Sequence, residues 1–186
     1  MRLRFGNDAI LAGINTILSD DPALTIRLPG KTKPPKALRR FVLDSDARVP
    51  LSAQVLSDTH KASTTILASE TASDQKIAEI EKVATVWRIP RKETGLDLKF
   101  VLKRMGEENI TSLLVEGGGE AIASFFAEKA AHRICFFYAP MIIGGRNARK
   151  SVAGRGFQFP GDAPRLANVK WRRLGPDLLL TAAVAG

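Results

Sequence analysis

The chain of 186 residues is poor in the side chains that build disulfides, metal centres and aromatic stacking platforms. One cysteine, Cys135, excludes an internal disulfide, and with two histidines, His60 and His132, leaves zinc chemistry almost without ligands. No run approaches the roughly 18 apolar residues of a membrane span, and no signal peptide is visible. We therefore expect a cytoplasmic protein. Cys135 lies in an apolar run with Ile134 and Phe136, which predicts a buried, inert thiol.

Acidic residues are the minority among the charges. Lys and Arg number 28 against 19 Asp and Glu, a net charge of +9. The basic residues cluster at 31–40, 146–150 and 170–173, and such an excess attracts nucleic acid or small phosphorylated molecules. Aromatic residues make up only 6% and do not interleave with these clusters, so nucleic acid is not the expected partner.

The hydrophobic fraction of 45% and charged fraction of 25% are ordinary for one globular domain. Short apolar runs alternate with helical patterns, which indicates an α/β fold with a largely parallel sheet and antiparallel strands at its C-terminal end. The predicted strands are 8–14, 40–43, 64–68, 85–89, 112–115, 133–138, 165–174 and 177–183, the last two joined by a turn at Gly175 and Pro176. The predicted helices are 15–21, 73–83 (with Ser73 as N-cap), 97–105 and one after the glycines at 117–119, and the segments 28–36 and 140–164 are predicted as loops.

The most informative stretch is 113–126, LLVEGGGEAIASFF. Its pattern predicts a buried strand, a tight glycine turn and the start of a helix, with Glu116 at the carboxyl end of the strand. Glycines allow a ligand to approach the backbone, and a helix N-terminus attracts phosphate. The spacing is not the dinucleotide fingerprint, since its third glycine position holds Ile122, and no Lys-Ser/Thr pair follows as in a P-loop. A turn that needs glycine only for close packing is the alternative.

Four segments together resemble the reductase domain of the bacterial riboflavin-biosynthesis enzyme RibD. They read RFGNDAILAGINTILSDDPALTIR (4–27), VEGGGEAIASFF, APMIIGG and RRLGPDLLLTAAV. The resemblance implies a single reductase-like domain over 1–186, with a dihydrofolate-reductase-like three-layer fold and a central mixed, mostly parallel sheet. Family members begin with a further strand and loop before the position of Arg4, and we expect this chain to lack them. The H-x-E and P-C-x-x-C motifs of the deaminase that often accompanies this domain are absent from the sequence.

The resemblance also implies an activity, the NADPH-dependent reduction of 5-amino-6-(5-phosphoribosylamino)uracil to its ribityl product. Arg4 and Arg27 match substrate-contacting arginines that suit a phosphate, Leu24 matches a backbone contact to the substrate, and Glu116 matches the substrate-contacting acid and is the catalytic candidate. Residues that match cofactor contacts are Thr16, Asp20, Ser45, Gly118, Gly119, Glu120, Ala121, Ile122, Ala123 and Ser124.

Other functions remain open at this point. A reductase of the undeaminated 2,5-diamino-6-ribosylamino-pyrimidinone phosphate is a nearby alternative that the sequence does not cleanly separate from it. A folate or pterin reductase, which shares the fold, is a more distant one. A non-catalytic nucleotide-binding remnant is the alternative from another class. The sequence does not separate NADPH from NADH, although a Lys or Arg near the end of the third strand could hold a 2′-phosphate. The expected partners are a phosphorylated pyrimidine and a second copy of the chain, with no membrane.

Overall fold

A computed structural model describes residues 1–27, 38–93 and 95–185. The helices are α1 (Arg2–Phe5), α2 (Ile14–Asp20), α3 (Gln54–Ser57), α4 (Asp74–Glu81), α5 (Leu98–Glu107) and α6 (Gly119–Ala127), with a 3-10 turn at Lys61–Ser63. The strands are β1 (Ala9–Gly13), β2 (Arg39–Leu43), β3 (Thr64–Ser69), β4 (Thr85–Ile89), β5 (Arg91–Lys92), β6 (Gly95–Leu96), β7 (Leu113–Val115), β8 (Arg133–Tyr138), β9 (Leu166–Leu174) and β10 (Asp177–Val184).

The main sheet is parallel and has five strands in the order β4-β3-β2-β1-β7. Its strands are apolar runs because helices cover both faces, as in other parallel sheets. β1 lies between β2 and β7, with Gly13 opposite Leu43 and Leu11 opposite Val115. The carboxyl ends of these three strands therefore meet at one edge, which is where α/β sheets bind ligands.

Alternate residues of each strand enter two cores on opposite faces of the sheet. Ile10 of β1 packs in the core that contains Ile17 of α2 and Ile77 of α4. Leu11 points into the other core, with Val101 of α5 and Phe125 of α6. This gives the three layers that the sequence predicted.

The antiparallel strands form a second sheet of three strands, in the order β8-β10-β9. Leu180 of β10 lies opposite Phe136 of β8 and Trp171 of β9. The predicted strands and their turn at Gly175 are confirmed, but among the described residues they pair only with one another and do not extend the parallel sheet. β9 is exposed along its whole length.

One sequence prediction about this sheet is wrong. Cys135 is exposed, because residues of a strand alternate between its faces and Ile134 takes the buried side. The short elements α1, α3, β5 and β6 were not predicted, since each is too short to show a hydrophobic period. The predicted loop at 28–36 lies outside the described residues.

Within the described ranges, no helix has the length and apolarity needed to cross a membrane.

Candidate active site

An ion pair between two predicted substrate residues stands at the carboxyl edge of the sheet. The Arg4 Nε donates to both carboxylate oxygens of Glu116, at 3.0 and 3.1 Å, and its Nη2 lies 2.6 Å from Oε2. The Glu116 backbone N–H donates to the Leu11 carbonyl (2.9 Å), which fixes the acid at the end of β7 against β1. The two side chains are 15% and 32% exposed, so the pair is sheltered but can be reached from solvent. This forked contact fixes the orientation of the carboxylate.

The segment after α2 brings Leu24 beside this pair. Leu24 is buried and adopts a left-handed backbone (φ 50°), a conformation that is rare for a residue with a branched side chain. Arginines hold the carbonyls on either side of it: Arg40 Nη1 donates to Ala23 O and Arg4 Nη1 donates to Thr25 O, both at 2.8 Å. The strained turn is therefore held in place from two sides.

Arg27 follows on the same segment and is exposed. Its backbone N–H donates to the Met1 sulfur at 3.4 Å, and its guanidinium makes no hydrogen bond or ion pair with the described residues. Its charge is therefore available to an anion.

The glycine turn folds as the sequence predicted and packs against α2. Gly117 and Gly118 are left-handed (φ 72° and 79°), and a Cβ on either would come within 3.1 Å of the Thr16 side chain. The turn starts α6 without a side-chain cap. Within the described ranges, the backbone N–H groups of Gly118, Gly119 and Glu120 donate no hydrogen bond, and unpaired N–H groups at a helix start suit an anion.

A segment of the irregular region, 149–154, lies against this turn. The Ala153 N–H donates to Gly119 O (3.1 Å), and the Gly154 N–H donates to a carboxylate oxygen of Glu120 (3.2 Å). A Cβ on Gly119 would overlap the carbonyl oxygen of Lys150, so this position requires glycine. The turn therefore packs closely against its own chain, as the alternative interpretation predicted, while anion binding by its free N–H groups stays a prediction.

Arg149 of the same segment reaches α2. Its Nη1 pairs with Asp20 at 3.1 Å, and its Nη2 donates to the Ser19 hydroxyl. The hydrogen bond from Ser19, together with the Arg149 guanidinium, lowers the pKa of Asp20. Sequence reasoning missed Arg149 as a site residue; its one signal was the basic cluster at 146–150 inside a glycine-rich stretch.

Several of the later predicted cofactor residues make contacts within the protein itself. Ala121 is buried, and the Ser124 hydroxyl donates to Glu120 O within α6 at 3.0 Å. Ile122 donates its N–H to Gly118 O as part of the helix. Ala123 packs against Gly154, whose added Cβ would lie 2.7 Å from the Ala123 Cβ. The free donors are thus concentrated at the beginning of the predicted range, from Gly118 to Glu120.

The loop after β2 completes this edge. The Ser45 carbonyl accepts from the Ser69 N–H (3.0 Å), which ties the ends of β2 and β3 together. Asp44 is completely buried, and its Oδ2 accepts from the Val49 N–H at 2.7 Å. Burial raises the pKa of Asp44, against the opposing backbone hydrogen bonds. Ser45 is half-buried at the edge that also carries Thr16 and the glycine turn.

Known proteins similar in sequence to this chain include reductases. A 2,5-diamino-6-ribosylamino-4(3H)-pyrimidinone 5′-phosphate reductase of Methanothermobacter thermautotrophicus is 37% identical over 184 residues, 99% of this chain and 83% of that protein. The riboflavin biosynthesis protein RibD of Bacillus amyloliquefaciens is 32% identical over 96% of this chain, which spans 47% of that protein. The curated relatives are reductases of riboflavin biosynthesis or RibD proteins, so the chain is similar to oxidoreductases.

Solved structures show the same fold. Acinetobacter baumannii RibD (form 2) superposes with a TM-score of 0.79 at 21% identity, over 99% of this chain and 49% of that one. The dihydrofolate-reductase-like α/β fold expected from the sequence is thereby confirmed. The family model for the RibD C-terminal domain matches residues 1–180. This match extends over nearly the whole chain, and the chain belongs to the RibD C-terminal domain family.

Proposed function

We propose that this protein uses NADPH to reduce a phosphoribosylamino-pyrimidine to the ribitylamino product in riboflavin biosynthesis. The observation that carries the proposal is the convergence of the Arg4–Glu116 pair, the Leu24 turn and the free N–H groups of the Gly118–Glu120 turn at one edge of the sheet. Riboflavin biosynthesis comes from the names of the relatives.

The residues present fit a dinucleotide cofactor. The N–H groups at Gly118, Gly119 and Glu120 would hold its pyrophosphate, with Thr16 packed beneath the turn and Arg149 at its rim. When bound, the nicotinamide supplies a hydride. Everything else in the reaction is binding, orientation and proton movement by the protein.

The reaction at the substrate is the reduction of an imine to an amine. The ribosyl ring opens: the bond between C1′ and the ring oxygen breaks, that oxygen takes up the proton lost by the pyrimidine-bound nitrogen, and an imine forms between C1′ and the nitrogen. C1′ would accept the hydride and the nitrogen a proton, so the imine becomes an amine. Glu116, clamped by Arg4, orients the substrate through hydrogen bonds. The exposed Arg27 pairs with the substrate phosphate.

Two phosphorylated pyrimidines are candidate substrates. The candidates are 5-amino-6-(5-phosphoribosylamino)uracil and its 2,5-diamino counterpart, which carries an amino group in place of one carbonyl oxygen on the pyrimidine ring. The 37% identity to the Methanothermobacter thermautotrophicus enzyme, over nearly the whole chain, supports the diamino compound as an alternative substrate. Steady-state rates with each compound decide between them.

The experiment that tests the proposal mixes the purified protein with NADPH and each pyrimidine and follows the loss of NADPH absorbance. We expect turnover with at least one of them. Calorimetric binding of NADPH without turnover on either substrate would instead support the nucleotide-binding remnant. A folded protein that neither binds NADPH nor turns over would overturn the proposal.

The proposal includes a homodimer in the cytoplasm. The second sheet exposes large apolar side chains that a second copy of the chain would cover: Tyr138 (47% exposed), Val169 (47%), Trp171 (59%) and Leu178 (45%). Exposed apolar patches of this kind mark interaction surfaces. The exposed Cys135 suits a reducing compartment, in which a surface thiol persists.

A further inference from the structure

The segment that carries Leu24 is tied to the rest of the protein at every second residue. It belongs to no helix or strand, so side chains take over the role of regular backbone hydrogen bonds. The three tethers are Gln54 on Asp21, Arg40 on Ala23 and Arg4 on Thr25. Between and beyond the tethers, Leu24 and Ile26 are buried in the core that α2 and α4 cover. The backbone of the segment is therefore fixed from two sides.

The backbone of Leu24 itself is left unpaired. Leu24 is 2% exposed and left-handed, and neither its N–H nor its carbonyl forms a hydrogen bond with the described residues. Backbone groups in so enclosed a place are nearly always paired, and a left-handed leucine persists only where its surroundings hold it. A substrate that reaches this turn would supply the partners, which agrees with the backbone contact that the resemblance implies for Leu24.

Arg40 fixes the carbonyl that precedes Leu24. Its Nη1 donates to Ala23 O (2.8 Å) and to one Asp58 oxygen (2.7 Å), and its Nη2 donates to the other Asp58 oxygen (2.9 Å). Its remaining N–H groups donate to Val55 O and to the Thr64 hydroxyl. Because a guanidinium is planar and the forked contact with Asp58 sets its plane, the N–H on Ala23 O has a single direction. Burial works against it, but the hydrogen bonds from Arg40 lower the pKa of Asp58, so the pair is ionised at neutral pH.

Gln54 fixes the beginning of the same segment from α3. Its side-chain Nε2 donates to Asp21 O at 2.7 Å, and its backbone N–H donates to the Asp21 carboxylate at 2.8 Å. Asp21 is also left-handed (φ 38°), so each left-handed residue of the segment lies at or next to a tether. Asp58 follows directly on the end of α3, so the tethers of Gln54 and Arg40 depend on the same short helix.

We propose that Gln54 and Arg40 are positioning residues for substrate binding, which hold the Leu24 backbone where the substrate meets it and do not touch the substrate themselves. The inference rests on the proposed function, which supplies the phosphorylated pyrimidine. Within the described part of the chain, neither side chain forms a hydrogen bond with a predicted cofactor residue. Their effect therefore falls on the substrate and not on the cofactor.

Gln54→Glu tests the first residue, because it keeps the size of the side chain but replaces the N–H donor with an acceptor that faces Asp21 O. We expect KM for the pyrimidine to rise by roughly 5- to 50-fold, with kcat and the calorimetric affinity for NADPH unchanged. Gln54 is exposed, so the variant retains its fold. The matched control is Gln75→Glu, which makes the same change at an exposed glutamine of α4 and leaves all three values unchanged.

Arg40→Lys tests the second residue. The ammonium keeps a charge for Asp58 but cannot also reproduce the N–H on Ala23 O, since it lacks the planar fork. We expect KM for the pyrimidine to rise by about tenfold or more, with the circular dichroism spectrum and the NADPH affinity of the wild type. A role confined to stability would instead lower kcat and the affinities for both ligands together.

An unchanged KM in either variant, or an equal loss of affinity for pyrimidine and NADPH, overturns the proposal for that residue. If the wild type reduces a pyrimidine and both variants keep its KM, the proposed function stands and the positioning roles are removed. Calorimetric titration with each pyrimidine covers the reverse case: a wild type that binds one without reducing it, and variants that bind it more weakly, support the positioning roles and refute the proposed function. A wild type that binds neither pyrimidine overturns both.

Discussion

The Arg4–Glu116 contact joins two positions that are 112 residues apart in the chain. Sequence resemblance gave each residue a substrate role but not their contact, because a long-range pairing leaves no local pattern. The pair makes Arg4 an anchor for Glu116 and for the Thr25 carbonyl, and leaves Arg27 as the more available cation.

Glu116→Gln is expected to lower kcat/KM by roughly 10- to 100-fold, because the neutral amide loses the charge-assisted contacts with Arg4 and the substrate. Steady-state kinetics check this. Glu107→Gln is the matched control, since that glutamate is exposed and its ion pair with Lys103, at i,i+4, is long at 4.0 Å. Unchanged turnover in Glu116→Gln would contradict the assignment.

Arg27→Ala is expected to raise KM for the phosphorylated substrate by about tenfold or more, with a smaller effect on kcat. The dephosphorylated substrate should show the same KM in both proteins, since it has no anion for Arg27 to bind. Arg2→Ala removes another exposed arginine, from α1, and serves as the control. An equal effect on both substrates would exclude a phosphate role.

At the scale of elements, one buried arginine connects β2 to its surroundings. Arg40 is 1% exposed and pairs with Asp58, while it also donates to the carbonyls of Ala23 and Val55 and to the Thr64 hydroxyl. It thereby fixes the segment before Leu24 to the sheet. Its burial was not predicted, because a charged residue at the start of a strand is ordinarily exposed.

Arg40→Leu is expected to reduce the free energy of unfolding by about 3–5 kcal/mol, since it removes the hydrogen bonds of Arg40 to the Asp58 carboxylate and to several buried acceptors. Urea denaturation followed by circular dichroism measures this. The neighbouring Arg39→Leu is the control: its pair with Glu108 is exposed, so its loss costs about 1 kcal/mol or less. Similar destabilisation in both variants would show that the hydrogen bonds of Arg40 stabilise the fold no more than an exposed ion pair does.

The parallel strands and the glycine turn could be predicted from sequence because hydrophobic period and glycine spacing are local signals. Arg149 could not, since the 149–154 segment reaches α2 and α6 only through the folded chain. Cys135 was misjudged because an apolar run conceals the alternation of a half-exposed strand. The roles assigned to Thr16, Ser45 and Leu24 come from family resemblance and stay predictions.

At the scale of the whole molecule, the two sheets differ in their exposure to solvent. The parallel sheet is covered on both faces, whereas the second sheet leaves Tyr138 and Trp171 exposed, with their ring centroids 5.8 Å apart. An uncovered aromatic pair of this kind favours association with another surface.

Trp171→Glu is expected to shift the protein from dimer to monomer in analytical ultracentrifugation, because a carboxylate at the proposed interface would be buried without a partner. The circular dichroism spectrum should be unchanged. Arg172→Glu, on the opposite face of β9, is the control and should remain a dimer. A wild-type protein that sediments as a monomer at all concentrations would exclude the dimer.

The position of β1 between β2 and β7 also sets an order of assembly. Asp8 and Ser112, which join the starts of β1 and β7, are 104 positions apart, so closing that pair costs about 1 kcal/mol more in chain entropy than pairing Ala9 of β1 with Arg39 of β2. During synthesis, one edge of β1 stays open until most of the chain has left the ribosome. In pulsed hydrogen exchange during refolding, β2 amides should gain protection before those of β7, and simultaneous protection would argue against this order. Of the strands in the parallel sheet, β1 is thus the one whose two neighbours are completed last.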